Sequence, residues 1–146
     1  MVANFVLSNL TWVNHFMQRR GPDLTTQMTL HGINFLHNLL HLTGPATPQP
    51  IIEPDRAGAV LFNGEIYNHL DLAAQLGVAA GLSDGSVLLP AYRRWGREFV
   101  RRLDGEFALA LVDFHGGWVH LAVDTFGTKP LWFATALLHA GSDGAG

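Results

Sequence analysis

The sequence predicts an α+β fold in which two stacked sheets are covered by helices, a four-layer αββα sandwich. Residues 107–113 and 118–124 are apolar runs joined by Phe-His-Gly-Gly, which is typical of a β-hairpin. Both faces of these strands are apolar, so their sheet must be covered on both sides. Apolar residues at helical spacing within residues 68–76 and 87–95 supply helices for the outer layers.

Size and composition indicate one folded domain. The chain has 146 residues, 48% of them hydrophobic, which is enough to form a core. We assign residues 1–134 to the domain and residues 135–146, which end in a glycine-rich and alanine-rich stretch, to a flexible tail. The chain contains no cysteine, which excludes disulfides, thiolate metal sites and a cysteine nucleophile.

The charge and hydropathy patterns predict neither nucleic acid nor a membrane as a partner. The formal net charge is −3, so no basic field attracts an anionic polymer or surface. No apolar run approaches the roughly 18 to 20 residues that span a bilayer. The amino terminus lacks the basic leader and cleavage site of a signal peptide, and we therefore expect a cytoplasmic protein.

The first third of the chain is predicted to contain a strand, a helix and a turn. Residues 2–7 suit a buried strand, and Ser8 or Asn9 can cap the helix that follows. Arg-Gly-Pro-Asp at residues 20–23 ends that helix in a turn. The periodicity of residues 26–42 fits both a helix and alternating strands, and propensity alone favours a helix from Ile33, so both remain open.

A polar stretch in the middle of the chain is the strongest candidate for a binding site. Residues 58–62 are predicted to be a strand that ends in a turn formed by Asn63, Gly64 and Glu65. Glycine permits a positive φ or a close backbone approach, while the flanking residues supply an amide and a carboxylate. A helix over residues 68–76 is predicted to follow this turn.

A second polar stretch follows at residues 81–86 and is predicted to be a loop. Ser83 or Asp84 can cap the helix over residues 87–95, and a second short helix is predicted over residues 98–103.

The amino-acid sequence of these stretches resembles that of the class II glutamine amidotransferase domain of asparagine synthetases. The similarity extends through most of the chain and keeps the motifs in order. They are Arg-Gly-Pro-Asp at 20–23, Gln-Pro at 49–50, Phe-Asn-Gly-Glu-Ile-Tyr-Asn-His at 62–69, Ser-Asp at 83–84, Trp-Gly at 95–96, Leu-Asp-Gly-Glu-Phe-Ala at 103–108, and Asp124 with Phe-Gly-Thr-Lys-Pro-Leu at 126–131.

The resemblance implies the fold of the N-terminal nucleophile hydrolases and makes residues 26–42 two strands that lead to the Gln-Pro loop. In that family an amino-terminal cysteine attacks the carboxamide of glutamine, and ammonia is released. The resemblance places Asn63 and Gly64 in the oxyanion hole, Glu65 in the wall of the glutamine pocket, and Asp84 against the α-ammonium group of the substrate. No cofactor is expected.

Two departures from the family pattern point to a degenerate domain, a pseudoenzyme. Val2 stands where the family has its nucleophilic cysteine, and valine cannot attack a carbonyl group. The strand before the Gln-Pro loop, residues 37–42, lacks the arginine that clamps the substrate carboxylate in the family. Arg56 is a candidate substitute for that arginine.

The candidate residues also have structural explanations, which stay open at this point. The turn geometry alone can require Asn63 and Gly64, and Asp84 can serve as a helix N-cap. Arg20 and Asp23 are better explained as a turn pair than as catalytic residues. Three histidines, His31, His37 and His41, suit zinc chemically, but no carboxylate accompanies them in that segment, so we expect no metal site. The arginines of residues 93–102 are expected to form a solvated helical face.

Two functions are consistent with the sequence. The first is a glutamine amidotransferase-like domain without glutaminase activity, which binds glutamine or a related small amide and serves as a binding or scaffolding subunit. Its expected partner is a separate ATP-dependent synthetase-type protein or a second copy of the chain. The alternative is an active amidotransferase subunit that releases ammonia from glutamine through a non-standard nucleophile.

Overall fold

The computed structural model describes residues 2–3, 10–42, 46–79, 81 and 83–135. These residues form an α+β fold with two antiparallel sheets, as the sequence predicts. The strands are β1 (Val2–Ala3), β2 (Leu24–Leu30), β3 (Ile33–Leu39), β4 (Ile51–Ile52), β5 (Gly58–Ile66), β6 (Gly105–Asp113) and β7 (Trp118–Val123). The helices are α1 (Leu10–Met17), α2 (His69–Leu76) and α3 (Leu88–Trp95), with short 3-10 helices at Asp84–Val87 and Gly96–Arg102.

The first sheet has the strand order β1-β3-β2 and resolves the ambiguity of residues 26–42 in favour of strands. β2 and β3 form a hairpin whose register pairs Leu24 with Leu39 and Leu30 with Ile33. β1 pairs with β3, with Val2 opposite Leu36. The rest of the predicted first strand, residues 4–7, and the predicted helix caps at residues 8 and 9 lie outside the described residues.

The second sheet has the strand order β4-β5-β6-β7 and corrects one prediction. β5 does not end before the Asn-Gly-Glu stretch but continues through it to Ile66, paired with β6 along its whole length. The predicted turn is therefore wrong, because the backbone of β6 offers hydrogen-bonding partners past Asn63. Glycine is nevertheless required in this strand, since Gly64 has φ +136° and a Cβ atom there would collide with the carbonyl oxygen of Glu106.

Two apolar clusters hold the layers together. Between the sheets lies a cluster formed by Leu30, Phe35, Ala59, Leu61 and Val112. On the opposite face of the second sheet, α2, α3 and the 3-10 helices pack against a larger cluster. Its fully buried large side chains include Ile66, Leu72, Val87, Leu88, Phe99, Leu109 and Leu111. Alternate residues of β5 and β6 thus face alternate clusters, as a sheet buried on both sides requires.

β7 departs from the prediction that both of its faces are covered. Val119, Leu121 and Val123 share one face, and each side chain is exposed. The opposite face is partly covered, since Ala122 packs against the helix-side cluster and His120 contacts Tyr92, while Trp118 is exposed. The burial of β6 on both sides is confirmed.

The helices that follow the two polar stretches are confirmed, and the structure shows which side chains they bury and which residue caps them. In α2 the buried side chains are Leu72 and Ala73, whereas Leu70 is 61% exposed. Ser83 caps the 3-10 helix that leads into α3, because its Oγ accepts the N–H of Gly85 at 3.1 Å. Among the described helices, none is long and apolar enough to cross a membrane.

Candidate functional site

The Asn-Gly-Glu stretch lies in β5 at the end of the sandwich away from the β2–β3 turn. Asn63 follows Leu61 by two residues, and Leu61 belongs to the cluster between the sheets. Side chains two apart on a strand share a face, so Asn63 lies on the face that looks towards the first sheet. Its side chain is exposed. The carboxamide of Asn63 is therefore available at the mouth of the inter-sheet space.

The neighbouring β6 and the Thr-Lys-Pro motif set the electrostatics beside Gly64. The register places Glu65 directly opposite Glu106, a like-charge pair that is unfavourable in isolation. Lys129 offsets it, with Nζ at 3.2 Å from Oε1 of Glu106. This contact brings the last of the sequence motifs to the candidate site.

The Gln-Pro loop braces β5 just before Asn63. Gln49 is buried, and its carboxamide bonds both backbone groups of Phe62, accepting the N–H at 2.7 Å and donating to the carbonyl at 2.9 Å. The Gln49–Pro50 peptide bond is cis. The sequence identified this loop only as a motif. The neighbouring strand β4 is too short to pair with Phe62. The side chain of Gln49 therefore binds the two backbone groups of Phe62 instead.

Asp84 lies at the same end of β5 and is tied to it. One carboxylate oxygen accepts the backbone N–H of Ile66 at 2.6 Å, and the other accepts the hydroxyl of Ser83 at 3.3 Å. Asp84 is therefore not the helix cap, a role that Ser83 takes. Gly85 packs so closely on the ring of Phe62 that a Cβ atom there would overlap it. The Ser-Asp loop is thus fastened to β5 on both sides of the Asn-Gly-Glu stretch, and we refer to these joined segments as the wall.

Asp124 fixes the loop that carries the Phe-Gly-Thr-Lys-Pro motif. Its buried carboxylate accepts the backbone N–H groups of Phe107, Phe126 and Thr128, and the hydroxyl of Thr128, at 2.9 to 3.2 Å. Burial raises the pKa of Asp124, but these donors outweigh it and lower the pKa to about 2. Sequence reasoning matched this residue to a motif without finding its role as the centre of the loop.

The structure also locates Val2 and Arg56, two residues considered in the prediction of a degenerate site. The backbone of Val2 lies in β1 opposite Leu36. Arg56 lies in the turn before β5, so Asn63 is roughly 17 Å further along the strand. Arg56 therefore cannot replace the missing clamp, and that suggestion is wrong.

The three histidines of the first sheet do not converge. His31 lies in the turn before β3 and His41 follows its other end, so the length of β3, about 20 Å at strand spacing, lies between them. Within the described ranges, no group of three histidine or acidic side chains could hold a metal ion.

His37 is a residue whose environment the sequence did not reveal. It is 7% exposed, and its Nδ1 atom has no hydrogen-bond partner. Burial is the chief reason that its pKa falls to about 4. It follows Phe35 by two residues on β3 and so looks towards the second sheet, at the same end as Asn63.

Comparison with known proteins identifies relatives of one kind. The glutamine amidotransferase domain family matches residues 5–143. A putative glutamine-hydrolysing asparagine synthetase of Mycobacterium bovis is 35% identical over 144 residues, covering 88% of this chain and 22% of the relative. Glutamine-hydrolysing asparagine synthetases of Oryza sativa and Asparagus officinalis are 32% and 36% identical, covering 89% and 83% of this chain.

The matched part is a small share of these relatives. The chain spans 22% of the length of the Mycobacterium and Oryza proteins and 21% of the Asparagus protein. Because the family match nevertheless extends over nearly the whole chain, the chain belongs to the glutamine amidotransferase domain family.

Proposed function

We propose that this domain binds glutamine or a related small amide and does not hydrolyse it. The observation that carries the proposal is that Asn63, Gly64 and Asp84 are joined in one wall while the sequence contains no cysteine, and the resemblance matches Val2 to the family nucleophile. In this proposal the described layers are the core of the four-layer sandwich of N-terminal nucleophile hydrolases, and residues 1–134 form the module.

The wall can bind an amide without a nucleophile. The Asn63 carboxamide supplies a donor for a carbonyl oxygen, and the backbone at Gly64 can approach a ligand closely because it has no side chain. Glu65 and Asp84 add negative charge, which suits an ammonium group. Valine at position 2 has no nucleophilic atom in its side chain and the sequence contains no cysteine, so we expect bound amide to remain intact.

The loss of the family arginine predicts weak binding. An arginine–carboxylate pair contributes roughly 1.5 to 3 kcal/mol, so its absence weakens glutamine affinity by about ten-fold to a hundred-fold. Uncharged amides that lack the α-carboxylate lose nothing by this change. They are therefore expected to compete better against glutamine here than in an arginine-containing domain.

We also propose that the domain works beside a synthetase-type protein. Each relative is named as a glutamine-hydrolysing asparagine synthetase, and about four-fifths of its length lies outside the part that this chain matches. An ATP-dependent synthetase protein is the partner that this arrangement favours, with a homodimer as the other outcome. Light scattering of the chain alone and mixed with a relative's synthetase portion separates these outcomes, and a monomer that binds no such portion contradicts both.

An active enzyme remains the second candidate, because the positions matched to the oxyanion hole are intact. It requires a nucleophile other than cysteine, and it predicts ammonia release and labelling by a glutamine-like diazoketone. Incubation with that reagent followed by intact-mass analysis tests both functions. No mass increase and no ammonia are expected from a binding domain, whereas a stoichiometric adduct supports the enzyme.

A further inference from the structure

Three hairpin turns meet at the end of the sandwich opposite Asn63. The β2–β3 turn contains His31, the β4–β5 turn contains Asp55 and Arg56, and the β6–β7 turn contains Phe114 and His115. They enclose an open cavity of about 380 Å³, lined by His31, Asp55, Arg56, Ala57, Phe114 and His115. None of these residues belongs to the amide-binding wall.

The turns are joined by specific contacts and so form one surface. The backbone N–H of Phe114 donates to the carbonyl of Ala57 at 2.9 Å. The His31 ring contacts Phe114, with 4.7 Å between centroids, and its Nε2 lies 3.2 Å from the carbonyl oxygen of Arg56. Since a carbonyl only accepts, we assign a proton to this Nε2 atom. His31 therefore positions the backbone of Arg56 and does not itself face a ligand with that nitrogen.

The backbone at both contact points is unusual. His31 has φ +48° and Arg56 has φ +60°, and within the described part of the chain they are the non-glycine residues with positive φ. Such conformations are disfavoured for side chains of this kind. The two strained residues face each other across the same cavity.

Polar side chains at this cavity keep unused hydrogen-bonding groups within the described part of the chain. Among the residues that the structure describes, the guanidinium group of Arg56 makes no ion pair or hydrogen bond, and the imidazole ring of His115 makes no hydrogen bond. Asp55 uses one carboxylate oxygen to accept the N–H of Ala57 at 3.0 Å, which leaves the other oxygen free. The cavity therefore contains hydrogen-bond donors from Arg56 and His115 beside one free acceptor oxygen of Asp55.

We propose that this cavity, the three-turn site, binds a phosphate ion that carries a proton. The guanidinium of Arg56 and a ring N–H of His115 donate to the phosphate oxygens. The free oxygen of Asp55 accepts a hydrogen bond from the P–OH group. The carboxylate therefore favours a protonated phosphate, whereas it would repel an anion that carries no proton. Phosphate retains a proton at neutral pH, whereas sulfate has none to offer Asp55.

Competition between two anions tests this assignment on the intact chain. Backbone amide NMR signals of residues 55–57 and 114–116 are followed during titration with inorganic phosphate or sulfate, at pH 7 and constant ionic strength. Saturable shifts are expected with phosphate, with a Kd on the order of millimolar. Sulfate is expected to bind about ten-fold more weakly or not at all. Equal shifts with both anions, or no saturable shift with phosphate, overturn the proposal.

Matched variants separate recognition from folding. Arg56→Gly removes the guanidinium and accepts φ +60° without strain, so the fold is kept while phosphate binding weakens about ten-fold or more. Asp55→Asn keeps an acceptor for Ala57 but offers an N–H, so sulfate is expected to bind within about three-fold of phosphate. Arg94→Gln, an exposed arginine on α3, is the control and leaves binding unchanged. Unaltered phosphate binding in Arg56→Gly contradicts the proposal.

Discussion

The carboxylate of Asp84 accepts the backbone N–H of Ile66 at 2.6 Å, which fastens the Ser-Asp loop to the end of β5. Two motifs that are 18 residues apart in the sequence thereby become one wall. The bond also uses only one oxygen, and the other is held weakly by the Ser83 hydroxyl at 3.3 Å. One oxygen of Asp84 thus holds the strand, while the other keeps the capacity to accept a further hydrogen bond.

Replacing Asp84 by alanine is expected to destabilise the domain by about 1 to 3 kcal/mol, because the N–H of Ile66 loses its acceptor in a partly buried position. Asp84→Asn retains an acceptor oxygen and is the matched control, with a smaller loss. The free energy of unfolding in urea measures both. An alanine variant as stable as the asparagine variant shows that the bond does not hold the loop.

Replacing Gly64 by alanine is expected to cost at least about 3 kcal/mol, since its Cβ would strike the backbone of β6 and φ is +136°. Gly77→Ala is the control. Gly77 also has positive φ, at +67°, but nothing lies within 4 Å of a Cβ there, so only about 1 to 2 kcal/mol is lost. Thermal and urea unfolding compare the two. Equal losses indicate that the close approach at Gly64 is unimportant.

Stability is expected to fall as the pH drops from about 6.5 to about 4, because the pKa of His37 is lowered to about 4 in the folded state. In that window the unfolded chain binds a proton at this position and the folded chain does not, so acid favours unfolding. His37→Leu should therefore reduce the proton uptake that accompanies unfolding by up to about one proton. The pH dependence of urea unfolding measures it, and an unchanged dependence in the variant refutes the assignment.

The lowered pKa of Asp124 is expected to affect stability in a separate, more acidic pH range. Its pKa is lowered from 3.8 to about 2, so its contribution is complete above the unfolded value and is lost as the pH falls towards 2. Asp124→Asn should therefore flatten the pH dependence of unfolding below about pH 4 and leave the His37 window unchanged. A change confined to higher pH contradicts this account.

The sequence predicted the order of the strands and helices well, because hairpin signals and helical spacing are local. It misjudged Asn63, Gly64 and Glu65 as a turn, since an Asn-Gly-Glu string has turn chemistry and only the partner strand β6 shows that pairing continues. It likewise assigned the cap to either Ser83 or Asp84. The contact of Asp84 with Ile66 decides between them, and that contact is long-range.

Other features could not be read from local patterns at all. The isolation of Arg56 from Asn63 follows from the direction of β5, and the burial of His37 depends on the stacking of two sheets. The exposed face of β7 has the same apolar alternation as a buried one. Tertiary coverage, which no local pattern encodes, decides which strand faces are buried.

The central claim is that the domain binds a small amide and leaves it intact. One NMR titration with glutamine labelled with ¹⁵N in its side-chain amide tests it, because protein signals report binding while the label reports hydrolysis. The account predicts saturable shifts at Gly64 and Ile66 and an unchanged carboxamide signal after prolonged incubation. Conversion of the label to ammonium, or saturating glutamine without any shift at these residues, would contradict it.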